Sequence, residues 1–256
     1  MSSRHSASTE RSDEELAGGW LDRRLYRTVE PLADLSLLWV LVLPVVPVGF
    51  TALVVTAGFV AHRGGDPGWP EWTLLVPLGV AYVAVLGWLF ARWDGETRRA
   101  AAVVRTPSTN EVLAAITAAL LGVAVVVVGN NLAVATGLSP HERAGVTTTA
   151  GVAAMVFTTL LVAPVVEEVL FRGVVLGHLL GRGFGILAAS LVSIVLFALV
   201  HVFMAGVTSL VVAGAIGVLL TALRLRYDNL VGAWLTHLLI NVWGFLIAVG
   251  VLPVLW

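Results

Sequence analysis

Residues 112–135 read VLAAITAALLGVAVVVVGNNLAVA, a stretch without a single ionisable side chain. A helix of about 20 apolar residues crosses the hydrocarbon core of a bilayer, so this stretch indicates a membrane-spanning helix. The rest of the chain has the same character, because 58% of its 256 residues are hydrophobic and only 12% are charged. A soluble domain has about 25% charged residues. The sequence therefore predicts an all-α, polytopic membrane bundle.

Further apolar segments extend this prediction to about seven spans. Pro44 and Pro47 interrupt the first segment, and we expect that helix to be kinked or split because proline removes a helical hydrogen bond. If the two prolines marked a hairpin instead, the chain would have eight spans. The predicted spans are 32–61, 72–90, 112–135, 146–180, 184–203, 207–223 and 230–251.

The basic residues are all arginine, and their distribution predicts the orientation in the membrane. Arginines are frequent in the polar tail 1–31, which we expect to be disordered and cytoplasmic, and again after the second span. Cytoplasmic loops carry the excess of basic residues, so the N-terminus is predicted to lie inside. The expected location is the cytoplasmic membrane of a bacterium, with the lipid bilayer around the chain and no nucleic-acid partner. The lack of cysteine excludes disulfides and thiol catalysis.

The stretch VVEEVLFRG, residues 165–173, places charge inside a predicted span. Ionisable residues within spans are costly and by default mark a functional site. Glu168 and Arg172 are four residues apart with the acid first, which predicts an ion pair along the helix. Glu167 points about 100° away from Glu168 on an α-helix and has no partner of this kind on its own helix.

Two later spans carry the other polar side chains of interest. Phe197 and His201 share a helix face in the fifth span, and His237 and Asn241 share one in the seventh. With 1.5 Å of rise per residue, Glu167 and His201 reach similar depths if the fourth span is one long helix. A carboxylate and imidazoles in a low-dielectric cavity can activate water or bind a zinc-type metal. Asn241 could stabilise an oxyanion, so the set suits hydrolysis of an amide bond.

These residues, in this order, resemble the three motifs of the CPBP family of intramembrane metalloproteases, also called the CAAX protease or Abi family. That family includes the type II CAAX prenyl endopeptidases. The resemblance implies an intramembrane endopeptidase that acts on a membrane-associated protein or peptide. Residues 146–256 would be its catalytic core, and residues 32–145 would be spans without a recognised motif. The three motifs are Glu167-Glu168-x-x-x-Arg172, Phe197-x-x-x-His201 and His237-x-x-x-Asn241.

The resemblance also implies a role for each residue. Glu167 would activate the water, and His201 would help to hold that water or a metal. Glu168 would assist catalysis, while His237 and Asn241 would bind the metal or stabilise the oxyanion. The implied cofactor is a divalent metal such as zinc. The implied site has the catalytic residues Glu167, Glu168, His201 and Asn241, the metal ligands Glu167, His201, His237 and Asn241, and the supporting residues Arg172 and Phe197.

Two other classes of protein fit parts of the pattern. A non-enzymatic membrane scaffold, or a protein of the bacteriocin-immunity type, could keep the polar cluster for binding alone. A proton-coupled transporter would also place glutamate and histidine in its spans. Transporters are expected to contain internal repeats, and the two halves of this chain show none. The concentration of polar residues in the C-terminal half therefore favours the protease over the transporter.

Overall fold

The computed structural model describes residues 25–62, 70–138 and 145–256, and within these ranges the chain is helical and contains no β-strand. Most of the predicted tail and residues 63–69 and 139–144 lie outside the described residues. We number the α-helices from residue 37 onward. They are α1 (Leu37–Val42), α2 (Val46–Ala61), α3 (Leu75–Arg92), α4 (Gly95–Ala101), α5 (Thr109–Ala135), α6 (Thr149–Gly181), α7 (Ile186–Ala205), α8 (Thr208–Tyr227) and α9 (Val231–Ala248).

The prediction of an all-α, multi-pass membrane protein is confirmed. Helices α3 and α5 to α9 are each long and apolar enough to cross a bilayer, and α2 is a shorter apolar helix. The first predicted span is split as its prolines indicated, because α1 ends at Val42 and α2 begins at Val46. Helix α1 has six residues and is about 9 Å long, which is too short to cross alone. The eight-span alternative therefore has no support among the described residues.

Helix α6 is the centre of the bundle. Every residue from 166 to 180 is buried, including the ionisable side chains of Glu167, Glu168, Arg172 and His178. The α-helical pattern widens twice into π-helix, over Val156–Val162 and over Glu168–Val175. Such widened turns are often found at functional sites. The helix is nevertheless continuous over 33 residues, which is the condition for Glu167 and the fifth span to meet.

A row of glycines lets neighbouring segments approach the second half of α6 closely. A Cβ atom on Gly173 would overlap the carbonyl oxygen of Ala101, at the end of α4. One on Gly177 would lie 2.6 Å from Leu32, and one on Gly181 would lie 2.9 Å from the carbonyl oxygen of Val29. Close approach at small residues is typical of packed membrane helices.

The last residues of the predicted tail are ordered, which corrects the expectation of disorder over 1–31. Residues 25–29 are helical and Glu30–Leu32 form a 3-10 turn. Leu25, Val29 and Leu32 are spaced by four and three residues and are buried. This spacing places them on one helix face, where they pack against α6 in the same cluster as Val174 and Leu176.

Hydrogen bonds connect segments that are far apart along the chain at each end of the bundle. At one end, Asp228 accepts from Arg105 at 2.7 Å, Arg224 at 2.7 Å and Thr28 at 2.9 Å. These partners come from the segment before α1, the link between α4 and α5, and the end of α8. We call this the basic end.

At the other end, Val146, before α6, donates its N–H to the carbonyl of Ala248, at the end of α9. Asn131, near the end of α5, donates to the carbonyl of Leu255 at 3.0 Å. We call this the opposite end.

The start of α9 is buried and anchored, which determines where His237 lies. Glu111 accepts hydrogen bonds from the Gly232 N–H at 2.9 Å and from Asn229 Nδ2 at 3.1 Å. Leu230 donates its N–H to the carbonyl of Val103. A carboxylate at a helix N-terminus satisfies donors that have no partner within the helix. Helix α9 therefore begins inside the protein, and this lets His237 reach α6.

Candidate active site

The acidic pair of α6 faces the interior of the bundle. Glu167 is 5% exposed and Glu168 is 1% exposed. The two side chains point in different directions, as helical geometry predicts, and have different partners. A buried carboxylate is stable only where hydrogen bonds or opposite charges compensate for the water it has lost. The partners therefore indicate what each acid does.

Glu167 is surrounded by polar groups from three other helices. The hydroxyl of Tyr82 on α3 donates a hydrogen bond to its Oε1 at 2.7 Å. Its Oε2 lies 3.8 Å from Nε2 of His201 on α7 and 3.7 Å from Nε2 of His237 on α9. Within the described part of the chain, this buried Oε2 accepts no hydrogen bond. The spacing of charges predicts no partner for Glu167 on α6, and its partners come from other helices.

Hydrogen bonds at Nδ1 determine the tautomer of both histidines. His201 Nδ1 lies 2.7 Å from the carbonyl oxygen of Phe197, and His237 Nδ1 lies 2.9 Å from Oε1 of Glu168. Both oxygens can only accept, so we assign the proton to Nδ1 in each neutral ring. Each Nε2 then presents a lone pair. Three acceptors, the two Nε2 atoms and Glu167 Oε2, therefore face each other.

Glu168 and Arg172 form the predicted ion pair along α6. Nη1 of Arg172 lies 3.3 Å from Glu168 Oε1, and both side chains are almost completely buried. The same Oε1 also accepts from His237 Nδ1. The spacing predicted Glu168 only as the partner of Arg172. In the structure Glu168 also orients His237.

Phe197 is the spacer around which the site is packed. Its ring lies against His201, with centroids 4.4 Å apart, and against His237 at 5.9 Å. The guanidinium carbon of Arg172 lies 4.2 Å from the ring centroid. An aromatic face attracts a cation, so Phe197 helps to hold Arg172 while it packs against both imidazole rings.

Asn241 contacts α6 one turn beyond His237. Its Nδ2 donates to the carbonyl of Thr159 at 2.9 Å. In a π-helix that carbonyl would be bonded to the N–H five residues later, which is position 164, and Pro164 has no N–H. Asn241 therefore satisfies a carbonyl that the proline leaves unpaired. One amide N–H is used in this way, and an asparagine amide has two.

A comparison with protein families matches this part of the chain. Residues 149–243 match the family described as Type II CAAX prenyl endopeptidase Rce1-like. Over these residues, the match agrees with the family that the three motifs predict. Neither a curated protein sequence nor a solved structure matches the chain significantly. The CAAX prenyl endopeptidase match contains all seven residues of the implied site, and at the level of the family it supports an intramembrane protease of the CAAX type.

The metal that the CAAX protease resemblance implies has suitable donor atoms but not a suitable geometry. A carboxylate oxygen and two imidazole nitrogens are zinc ligands, and Nδ1–H bonds to oxygen are typical of histidines that bind a metal. Two ligands of one tetrahedral zinc are about 3.4 Å apart, whereas Glu167 Oε2 is 3.7 and 3.8 Å from the two Nε2 atoms. Among the described residues, no three His, Asp or Glu side chains are placed to hold a metal ion. The residues as they stand do not fit the metal.

Tyr82 is the site residue that the sequence did not reveal. It lies outside the region that matches the CAAX prenyl endopeptidase family, and it is 85 residues from Glu167. One signal was available, since a tyrosine in an apolar span needs a hydrogen-bond partner for its hydroxyl. That signal does not say which acid or carbonyl the partner is.

Proposed function

We propose that this protein is an intramembrane endopeptidase that hydrolyses a peptide bond of a membrane-associated substrate by activating water with Glu167 and His201. The observation that carries this proposal is the position of Glu167 Oε2, a buried oxygen without a hydrogen bond from the described residues that faces two imidazole lone pairs. A carboxylate and an imidazole that can share one water suit general base catalysis.

A water molecule fits the chemistry of this arrangement. It has two hydrogens, and Glu167 Oε2 and His201 Nε2 can each accept one. Hydrogen bonds of about 2.8 Å to both atoms are compatible with their separation of 3.8 Å. The water oxygen would then present a lone pair to a carbonyl carbon of the substrate.

The reaction proceeds in two steps. As the water oxygen forms a bond to the scissile carbonyl carbon, an O–H bond of the water breaks and Glu167 takes the proton. The carbonyl oxygen becomes an oxyanion. When this oxyanion returns to a carbonyl, the C–N bond breaks and Glu167 gives its proton to the leaving nitrogen. The same carboxylate thus acts first as base and then as acid, and no acyl-enzyme forms.

The other residues orient and stabilise this chemistry. The second N–H of Asn241 is the donor we assign to the oxyanion, and His237 can donate to it only when its ring is protonated. Glu168 orients His237 through Nδ1. Arg172 and Phe197 hold Glu168 and the imidazole rings in place.

The substrate class and the location are part of the proposal. The family match supports a substrate anchored in or near the bilayer, and the peptide bond would reach the site from the membrane. Residues 146–256 would form the catalytic core, in the cytoplasmic membrane of a bacterium. A divalent metal such as zinc would have to draw Glu167, His201 and His237 closer together than they are, so no step of the mechanism depends on it.

The first prediction tests Glu167 in cells. We expect new C-terminal peptides in the membrane proteome of cells that produce the wild type and none in cells that produce Glu167→Gln, because the amide is a far weaker base. His201→Ala should lose activity as well. Glu96→Gln, which changes an exposed acid of α4, is the matched control and should cleave like the wild type. Mass spectrometry of C-terminal peptides measures all four proteins.

Two outcomes would contradict the proposal. Cleavage by Glu167→Gln at the wild-type rate would show that Glu167 is not the general base. Absence of any wild-type-dependent peptide, with a cellular phenotype that Glu167→Gln still supports, would favour the non-enzymatic scaffold. Treatment of wild-type membranes with a metal chelator tests the metal separately, since a metal-dependent enzyme would stop and recover when zinc is added.

A further inference from the structure

The hydroxyl of Tyr82 contacts the catalytic acid Glu167, although Tyr82 lies outside the region that matches the family. Tyr82 is 2% exposed, and its hydroxyl donates to Glu167 Oε1 at 2.7 Å. The two histidines lie near the other oxygen, Oε2. A carboxylate can rotate about its last side-chain bond, because that torsion is broad. A strong donor on one oxygen therefore determines which oxygen faces the imidazoles.

Helix α3 is fixed against α6 at three successive contacts, so the hydroxyl is held in place. Thr158 donates its hydroxyl to the carbonyl of Leu75 at 2.7 Å. A Cβ on Gly79 would lie 2.5 Å from Thr158 Oγ1 and 2.7 Å from Phe157, so the two helices are in close contact there. Tyr82 follows on the same face of α3, one turn later, at Glu167. The first two contacts leave α3 little freedom to move away from the acid.

We infer that Tyr82 is a positioning residue for the general base: its hydroxyl holds Glu167 Oε1, so that Oε2 is the oxygen that receives the proton of the water. This inference rests on the proposed function. It assigns a part in the reaction to residues 32–145, which carry none of the three motifs. A tyrosine that only fills space would serve equally well as phenylalanine, and this difference can be measured.

The test compares Tyr82→Phe with the wild type in vesicles and in cells. The variant keeps the ring and removes one hydrogen bond to a charged group, which corresponds to a loss of about 10- to 100-fold in the rate of peptide cleavage. The midpoint of thermal unfolding should fall by only a few degrees, because Glu167 loses a single hydrogen bond and the ring is kept. Tyr227→Phe is the matched control, because the hydroxyl of Tyr227 donates to the carbonyl of Asn110 at 3.1 Å, away from the acidic pair.

Infrared spectroscopy gives a readout that does not depend on a substrate. The difference between the spectra of the wild type and Glu167→Gln in vesicles isolates the carboxyl bands of Glu167. We expect Tyr82→Phe to shift these bands and Tyr227→Phe to leave them unchanged. Unshifted bands, or cleavage by Tyr82→Phe within twofold of the wild-type rate, would overturn the inference. If Glu167→Gln itself cleaves normally, the proposed function fails, whereas the bands still decide whether Tyr82 holds Glu167.

Discussion

Arg172 connects three parts of the site, and its environment explains why a charge is tolerated in the centre of α6. Its guanidinium contacts Glu168, the carbonyl of Gly217 on α8 and the ring of Phe197 on α7. A buried ion pair is not in itself a strong source of stability, because both charges lose their water. Loss of one partner is a different matter, since it leaves the other charge buried without compensation.

We expect Arg172→Ala to destabilise the protein by about 3–5 kcal/mol, because Glu168 would stay buried without its cation. This corresponds to a fall of about 10 °C in the midpoint of thermal unfolding, measured in detergent by intrinsic fluorescence. Arg182→Ala, at an exposed position just after α6, should leave the midpoint within about 2 °C of the wild type. Equal midpoints for the two variants would show that the pair contributes no more than a surface charge.

The residues of the site differ in how far the sequence could predict them. The Glu168–Arg172 pair follows from spacing alone, because residues four apart on a helix are neighbours. To predict that Glu167 lies close to His201 and His237, all three motifs in their known order were needed. The contact with Tyr82 was not predictable, because the distance along the chain is large and the hydroxyl needs only some acceptor. The hydrogen bond between Glu168 and His237 was not predictable for the same reason, because the two residues are far apart along the chain.

At the scale of elements, α6 depends on what lies against its glycines. The short helix α4 packs on Gly173, one residue after Arg172, and a Cβ there would overlap the backbone of Ala101. A backbone carbonyl cannot move aside as the end of a flexible side chain can. Helix α4 would therefore have to leave α6, and the segment 102–105, which bonds to Leu230 and Asn229 at the start of α9, would follow it.

Gly173→Ala tests this contact. We expect a loss of about 3 kcal/mol or more in the free energy of unfolding, since the added methyl group overpacks a site with no room. Gly185→Ala, between α6 and α7, is the control, because a Cβ on Gly185 meets nothing within 4 Å. Thermal unfolding in detergent compares the two variants. A Gly173→Ala protein as stable as Gly185→Ala would mean that α4 is not held against α6.

Some elements were predictable and others were not, for physical reasons. The split of the first span followed from Pro44 and Pro47. The segment after the second span was predicted only as an arginine-rich loop, yet it contains α4, where Asp94 Oδ1 accepts from the Thr97 N–H at 2.7 Å and caps the helix. The π-helical turns of α6 were not predictable, because an apolar sequence has the same pattern in either helix.

At the scale of the whole molecule, the contacts at the two ends decide how many times the chain crosses. The segment before α1 and the link between α4 and α5 meet at Asp228, at the basic end. Helix α3 ends close to that link at Arg92, so its beginning, Leu75, lies toward the opposite end. The chain between residues 32 and 75 must therefore pass from the basic end to the opposite end. Helix α2 is the apolar helix that can do this, which favours the predicted seven crossings.

The seven crossings and the arginines together predict that the basic end lies in the cytoplasm. Because the chain contains no cysteine, single cysteines can report the side directly. With Glu96→Cys at the basic end and Val207→Cys between α7 and α8, both at exposed positions, a membrane-impermeant maleimide applied to intact cells should label position 207 and not position 96. Permeabilised cells should label both, which controls for reactivity. Labelling of position 96 alone in intact cells would reverse the orientation, and labelling of both would mean that α5, α6 and α7 do not all cross the membrane.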